Sequence, residues 1–424
     1  MRPKTIIVLM TISFLMFNSA VSVTAYEQIG GPVGIDGSGT LPLTPSNVLD
    51  NFNRAAENLN VWSDMTTTFS SQYPPTADAK CVASAETDPA IVYGGAGTSL
   101  KLDYNVDLTN SYAGYVSMMG GGSIEPYKTL IFRVKGASGG EYFKIEIKNT
   151  STKEYSSTKE NTHYYRNTGR VYISDYLNGG VTTGWRKVSI PLKTFANLDD
   201  FTSMKELVFV FENAQSDMNE SPRQGTIYID NIVFSTTELD TVRLDYFSDV
   251  IGSNAMGGNI GDFGNDGGTA SHTFDNTECV TATRSMKIHY SVLTGYSGVA
   301  LIIGGGNDGL PVLSKPYDKD KMGWIPVDHN LSDYKHLKYY VKAHDAAHNP
   351  KIMKVEIVSS TGTKESVHSV TEGWILIDIN METLGVDLSS ISQVNFVFEG
   401  WRIGGAVGSK VGDVYMDNLE FTKE

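Results

Sequence analysis

The chain has 424 residues, of which 48 are Asp or Glu and 34 are Lys or Arg, giving a net charge of −14. This acidic balance disfavours nucleic acid and anionic membrane as partners and suits an exported protein that meets neutral molecules or cations. There are two cysteines, with no CxxC and no Cys/His cluster of zinc spacing, so the chain lacks the pattern of a structural zinc site.

The first residues, Met1-Arg2-Pro3-Lys4, are basic, and an apolar stretch runs from Thr5 to Phe17 and ends near Val23-Thr24-Ala25. This is the pattern of a secretory signal peptide over 1–25. The apolar stretch is short for a bilayer, and no later run reaches the roughly 18 apolar residues of a membrane helix, so membrane insertion is not expected. No Cys immediately follows the cleavage region, which gives no support to a lipoprotein anchor. Removal of Arg2 and Lys4 would take Lys+Arg from 34 to 32 against 48 acids, a net charge of −16. Residues 26–46, rich in Gly, Pro, Ser and Thr, read as an irregular lead-in.

From residue 47 the chain passes twice through one series of segments. The opening Asn47 to Phe52 matches Thr241 to Phe247, and Ser99-Leu100-Lys101-Leu102-Asp103-Tyr104 matches Ser285-Met286-Lys287-Ile288-His289-Tyr290. Tyr112 to Tyr115 matches Tyr296 to Val299, and a glycine cluster follows each. Tyr127 to Lys135 then matches Tyr334 to Lys342, Phe143 to Lys148 matches Met353 to Val358, and Gly184-Trp185 matches Gly373-Trp374. Leu207 to Glu212 matches Val394 to Glu399, and the closing Gly225 to Phe234 matches Gly412 to Phe421. The segments are short, rich in Val, Ile, Phe and Tyr, alternate with period two and are separated by Gly, Asn, Asp and Ser clusters. With no long amphipathic helix between them, they predict an all-β chain of two tandem β-sandwich jelly rolls, over 47–235 and 241–424, joined by a short polar linker.

Alternation also assigns faces. Leu130, Phe132 and Val134 turn inward and leave Arg133 and Lys135 outward; Phe143, Ile145 and Ile147 turn inward and leave Lys144, Glu146 and Lys148 outward; Phe209 and Phe211 turn inward and leave Glu212 outward. In the second repeat Lys338, Tyr340, Lys342, Lys354, Glu356, Asn395 and Glu399 turn outward, so one sheet is expected to show mixed charges, amides and a few rings. The pairs Glu146 with Glu212 and Glu356 with Glu399 could be drawn as glycosidase carboxylates. Lysines lie beside both, and a salt-bridged sheet face is the expected explanation. There is no GxSxG and no HExxH, and the glycine clusters lack the Lys of a phosphate-binding loop, so the reading is non-catalytic. Trp185 and Trp374, each at a strand start, read as core.

In the closing strands alternation places Tyr228, Asp230, Ile232 and Phe234 on one face, and likewise Tyr415, Asp417, Leu419 and Phe421. An acid in an apolar row needs backbone donors, a basic partner or a metal ion. Cys81 and Cys279 fall one per repeat at positions that do not align; a disulfide between the repeats and two separate thiols are both open, the thiols being the plainer reading.

The Leu-Asp-x-Phe opening (Leu49 to Phe52), the Ser-Leu-Lys-Leu-Asp-Tyr strand, Gly-Trp-Arg-Lys-Val-Ser-Ile-Pro-Leu (Gly184 to Leu192) and the Tyr-Ile-Asp-Asn-Ile-x-Phe close resemble secreted carbohydrate-binding modules. The type is that of family 11 and related galactose-binding-like jelly rolls, and the likeness extends over both repeats. The resemblance implies a structural calcium ion where the first and last strands meet, with Asp230 and Asp417 as ligands. Related modules supply an acid just after the opening Phe, where this chain has Asn53 and Ser248. Asn53 still offers an amide oxygen, and Asp249 stands beside Ser248. Calcium takes six to eight hard oxygens; the alternative is an Asp satisfied by backbone amides.

The resemblance further implies a polysaccharide or glycan site on the concave sheet or at the loop rim, where a ring stacks on a pyranose and polar groups bond its hydroxyls. The candidates are Tyr104, Tyr112, Tyr115, Arg133, Glu146 and Tyr155 in the first repeat, and Tyr290, Tyr296, Trp324, Tyr340, Glu356 and Trp401 in the second. The repeats diverge in their loops: Asn149 to Arg170 is long in the first, whereas the second has Gly252 to Gly268 and an insertion from Gly304 to His329. The expected protein is a secreted, non-catalytic carbohydrate binder. The alternatives are an adhesive extracellular protein that binds no sugar and a polysaccharide-cleaving enzyme on a sandwich scaffold. The sugar and the oligomeric state stay open.

Overall fold

The alternating segments form strands throughout the computed structural model. It describes residues 46–50, 52, 80–303 and 329–424, apart from 110, 120, 151–153, 158–161, 166, 178–179, 197, 199, 214–215, 217–220, 248–253, 281–283 and 406–407. The expected signal peptide over 1–25 and nearly all of the lead-in over 26–46 lie outside these residues.

The first repeat contributes β1 (Ser46–Asp50), β2 (Lys80–Glu86), β3 (Ser99–Asn105), β4 (Tyr112–Met118), β5 (Thr129–Gly136), β6 (Lys144–Asn149), β7 (Glu154–Ser157), β8 (Thr162–Tyr165), β9 (Thr168–Tyr172), β10 (Arg186–Pro191), β11 (Met204–Glu212) and β12 (Gln224–Ser235). The second contributes β13 (Thr241–Asp245), β14 (Ile260–Asn265), β15 (Thr269–Asp275), β16 (Ser285–Ser291), β17 (Tyr296–Ile302), β18 (His336–Ala343), β19 (Ile352–Ser359), β20 (Gly362–Ser369), β21 (Ile375–Asn380), β22 (Ile391–Glu399) and β23 (Val411–Thr422). Two short helices, α1 (Met381–Leu384) and α2 (Gly400–Gly405), belong to the second repeat.

Each repeat folds into two antiparallel sheets packed face to face, an all-β jelly-roll sandwich. Sheet 1 runs β10-β5-β12-β3-β2, with β1 also on β12, and sheet 2 runs β4-β11-β6-β9. Sheet 3 runs β15-β16-β23-β18-β21, with β13 also on β23, and sheet 4 runs β14-β17-β22-β19-β20. Each sandwich has its own apolar cluster. Rings bridge the sheets at equivalent places: Tyr104 stacks on Phe211 at 3.9 Å and Tyr290 on Phe398 at 4.2 Å, while Phe132 meets Phe209 edge-on at 5.6 Å and Tyr339 meets Phe396 at 5.2 Å. Such pairs add about 0.5–1.5 kcal/mol each beyond the area they bury.

The closing strands depart from simple alternation. The register of β12 against β5 shifts between Asp230 and Val233, and Asn231 has φ 49°; β23 shifts likewise against β18, with φ 51° at Asn418. These are β-bulges, which put an extra residue in one strand and reset its faces. Ile227, Ile229, Ile232 and Phe234 therefore all join the core, and Tyr228 is left on the other side; Val414, Met416, Leu419 and Phe421 do the same around Tyr415. The expectation that Tyr228, Asp230, Ile232 and Phe234 share one face is thus corrected. Each Asp sits at the bulge, where β12 passes from pairing with β3 to pairing with β1 and β23 passes from β16 to β13. Cys81 and Cys279 are free thiols; Cys81 is buried, and burial pushes its thiol up to about 12.

Candidate functional site

The outer faces of sheets 2 and 4 carry one pattern in two copies. In sheet 2, Lys144 stands opposite Val210 and Tyr172, Glu146 opposite Val208 and Arg170, and Tyr112 opposite Glu212. In sheet 4, Lys354 stands opposite Val397 and Val367, Glu356 opposite Asn395 and Glu365, and Tyr296 opposite Glu399. Beside Tyr112 and Tyr296 the strands carry Gly114 and Gly298. A Cβ at Gly114 would run into the Phe209 carbonyl, and one at Gly298 into the Phe396 carbonyl and the Phe263 ring, so both faces stay low there.

One lysine ties each face together. Lys144 Nζ lies 2.9 Å from Glu146 and 2.8 Å from Glu212, and Lys148 lies 3.2 Å from Glu146. Lys354 Nζ lies 2.8 Å from Glu356 and 2.5 Å from Glu399, while Arg402 Nε bonds Glu399 at 2.6 Å. Burial works against the Lys144 charge, but Glu212 and Glu146 outweigh it and hold the ammonium above its ordinary value. Burial likewise opposes the charge on Glu146 and Glu399, yet Lys144 with Lys148, and Lys354 with Arg402, hold these carboxyls below the usual range. A glycosidase acid must keep a proton near neutral pH, which needs a raised value. Glu146 and Glu399 are held the other way, and both pairs belong to salt-bridged sheet faces.

The floors and rims differ. Sheet 2 has an apolar floor of Val116, Val208 and Val210, exposed by 7, 0 and 4%, with Tyr112 packed against it. In sheet 4 the place of Val208 is taken by Asn395, whose amide donates to Glu356 at 3.1 Å. There Tyr296 lies between Phe263 and Trp401, each 6.4 Å away, and Trp401 on α2 is 60% exposed.

Several sequence candidates lie elsewhere. Tyr104, Tyr115 and Tyr290 are core residues: Tyr104 and Tyr290 are taken up by ring stacking between sheets, and Tyr115 points inward from β4, so none can touch a ligand. Arg133 and Tyr340 do face outward, but from β5 and β18 in sheets 1 and 3, away from the Lys-Glu faces. The expected single face is therefore two faces per sandwich. Arg133 covers the ring of Tyr93 at 4.9 Å, an aromatic contact that the strand pattern does not reveal. Trp185 and Trp374 are half-buried and outside both cores; Trp185 Nε1 donates to the Ile91 carbonyl at 2.8 Å, and Trp374 lies 5.9 Å from Lys342. Their edge position, with partners in loops and on outer faces, is what overturns the core reading. Trp324, Asn53 and Asp249 lie outside the described residues, as does the side chain of Tyr155 in β7.

At the bulges Asp230 accepts from Ser99 Oγ at 2.6 Å and from the Asn231 amide at 2.7 Å, and Asp417 accepts from the amides of Val280 and Asn418 at 2.6 and 2.8 Å. Burial, with Asp50 adding to it, pushes the Asp230 carboxyl up to about 6 against the pull of these donors. Asp50 and Asp245, the acids of the opening strands, each accept from the amide two residues on, at 2.8 and 2.6 Å. Both lie in a Leu-Asp-x-Phe sequence, Leu49 to Phe52 and Leu244 to Phe247, two residues before the opening Phe and not after it. Among the described residues no group of three or more His, Cys, Asp or Glu is placed to hold a metal.

Both repeats thus share one sandwich topology and one outer-face pattern. Residues 57–236 match the family model of carbohydrate binding domain 30. Among solved structures, the chain is similar to the family 11 module from Clostridium thermocellum in complex with a β-1,3-1,4-mixed-linked tetrasaccharide, at 14% identity over 44% of this chain and 97% of that one (TM-score 0.31). It is also similar to the family 30 module of a cellulosomal cellulase of the same organism, at 23% identity over 36% and 82% (TM-score 0.26). A third similarity is to a CBM22-1-CBM22-2 tandem domain from Paenibacillus barcinonensis, at 11% identity over 84% and 96% (TM-score 0.24). No curated protein matches the chain.

Proposed function

We propose that the protein is a secreted, non-catalytic binder of polysaccharide, with the outer face of sheet 4 as its main site. The carrying observation is Trp401, largely exposed and edge-on to Tyr296 at 6.4 Å, beside the Lys354, Glu399 and Arg402 network. A ring to stack on a pyranose next to fixed charged donors and acceptors is the chemistry of sugar recognition. The face mixes both signs, so the ligand it suits is an uncharged glycan. The secretory pattern at the start of the sequence supports export, and among the described residues no helix is long and apolar enough to cross a membrane. A glycan array with the wild type and Trp401→Ala tests the reading. We expect retention of neutral β-linked polysaccharide by the wild type, loss of at least tenfold in the variant, and no release of new reducing ends. Equal retention by both proteins, or none by the wild type, would sink it.

A structural calcium ion remains part of this proposal. Asp50 and Asp230 would supply carboxylates in the first repeat and Asp245 and Asp417 in the second, and the mutual unfavourable effect of Asp50 and Asp230 is what a cation would relieve. Millimolar calcium is then expected to raise the melting temperature by several degrees relative to chelator, and Asp230→Ala to remove part of the rise. An unchanged melting curve would count against the ion.

A further inference from the structure

At the junction of the sandwiches an arginine of the second repeat is gripped by the first. The guanidinium of Arg243, on β13, lies over the rings of Tyr176 at 5.2 Å and Tyr246 at 4.1 Å, and its Nη1 donates to the Asp175 carbonyl. Asp175 and Tyr176 belong to the first repeat, just after β9; Tyr246 follows β13 and its hydroxyl donates to Glu420 on β23. The planar cation is thus held between rings from both modules, a geometry that suits Arg and not Lys.

A second contact joins the modules nearby. Lys193, in the turn Leu192–Thr194 after β10, bonds Asp333 of the second repeat at 2.5 Å, reaches Glu238 of the linker at 3.5 Å and lies 5.2 Å from the Tyr334 ring. Lys423 reaches the same Glu238 at 3.3 Å, and the Tyr334 hydroxyl donates to the Leu239 carbonyl at 2.9 Å, so the linker itself is tied down. Ala196 of the first repeat packs within the apolar cluster of the second. A cavity of about 260 Å³ lined by Tyr176, Pro191, Leu239, Arg243 and Tyr246 remains beside the clamp. Polar grips, more than continuous apolar packing, therefore hold the junction.

We propose that Arg243 and Lys193 are positioning residues that lock the two sandwiches into one body, so that the faces of sheets 2 and 4 meet one long polysaccharide at a fixed separation. The inference rests on the glycan reading for its purpose, though the lock stands on contacts of its own. Two sites held rigidly apart raise the effective concentration of the second once the first is occupied, without any new contact to the sugar. Short oligosaccharides, which reach one face at a time, gain nothing from the lock.

The test compares the full chain with Arg243→Ala, with Lys193→Ala as an independent break at the second contact. Amide relaxation should give one common tumbling time for both sandwiches in the wild type and separate, shorter times in the variants. Affinity for a long neutral β-glucan should fall at least fivefold in the variants, while affinity for a tetrasaccharide of the same linkage stays unchanged. Separate tumbling in the wild type would overturn the proposal, as would variants that tumble separately yet hold the polymer as tightly. A wild type that tumbles as one body and retains no glycan would overturn the glycan reading and the positioning role with it, and would support the lock alone.

Discussion

Sheets 2 and 4 share a lysine held by two glutamates, a tyrosine opposite the second glutamate and a glycine two residues on, yet they differ in what surrounds that frame. Sheet 2 closes its network over three valines; Lys144 and Lys354 are equally covered, at 10% exposed, but Glu146 is 14% exposed and its counterpart Glu356 24%. Sheet 4 replaces Val208 by Asn395 and Val116 by Ala300, opens toward Glu365 and Arg402, and sets Trp401 at the rim. The shared frame is a structural device that lets charges lie on a half-buried sheet; under the proposed function, the differing floor and rim would set ligand choice.

The largest expected effect breaks the shared frame. Lys144→Met leaves Glu146 and Glu212 short of their common partner and should cost about 3 kcal/mol of stability in urea titration, on the scale for breaking a buried ion pair. Lys354→Met should cost about half as much, because Glu399 keeps Arg402 and the network reaches solvent. A larger cost in sheet 4 than in sheet 2 would contradict this contrast between closed and open networks.

Next come the glycines. Gly298→Ala should cost about 2 kcal/mol and Gly114→Ala less, by the scale for overpacking, since only Gly298 has a ring as well as a carbonyl in the way. Thermal melts of both variants check the order.

Acid should loosen both faces. The Glu146 and Glu399 carboxyls are held below their ordinary values in the folded protein, so the native state binds fewer protons than the unfolded chain as acid is added. Their stabilising contribution is complete above about pH 4.5, the ordinary glutamate value, and is lost as pH falls through the lower folded values. Melting temperatures from pH 6 to pH 3 should show this fall. A Lys144→Met chain with the same acid dependence as the wild type would refute the assignment for sheet 2.

The smallest change in stability, below about 1 kcal/mol, is expected from Asn395→Val, which gives sheet 4 the floor of sheet 2 and takes one hydrogen bond from Glu356. Its effect should appear instead in glycan preference, read on the same array as Trp401→Ala. An unaltered profile would show that the floor does not select the sugar.

The sequence alone determined the duplication, the strands of the matched segments and the pairing of each Lys with its glutamates, because period-two alternation and the spacing of turn residues are local properties that survive without a partner strand; the stretches read as loops, Asn149 to Arg170 and Gly252 to Gly268, instead carry β7, β8, the start of β9, and β14. It also marked Tyr296 and Trp401, although nothing in their separation along the chain indicated that they meet. Tertiary structure alone decided which outward residues share a face. In this topology β5 and β6 follow one another in the chain but lie in opposite sheets, so Arg133 and Lys144 both point outward yet face away from each other. Packing between sheets drew Tyr104, Tyr115 and Tyr290 into the core, since a tyrosine, apolar in its ring and polar at its hydroxyl, fits either a sugar face or the space between two sheets. The bulges at Asn231 and Asn418 reset the faces of the closing strands, and the grip on Arg243 needs Tyr176 and Tyr246, which are 70 residues apart in sequence. These outcomes depend on contacts between distant segments, and distance in the chain carries no signal of them.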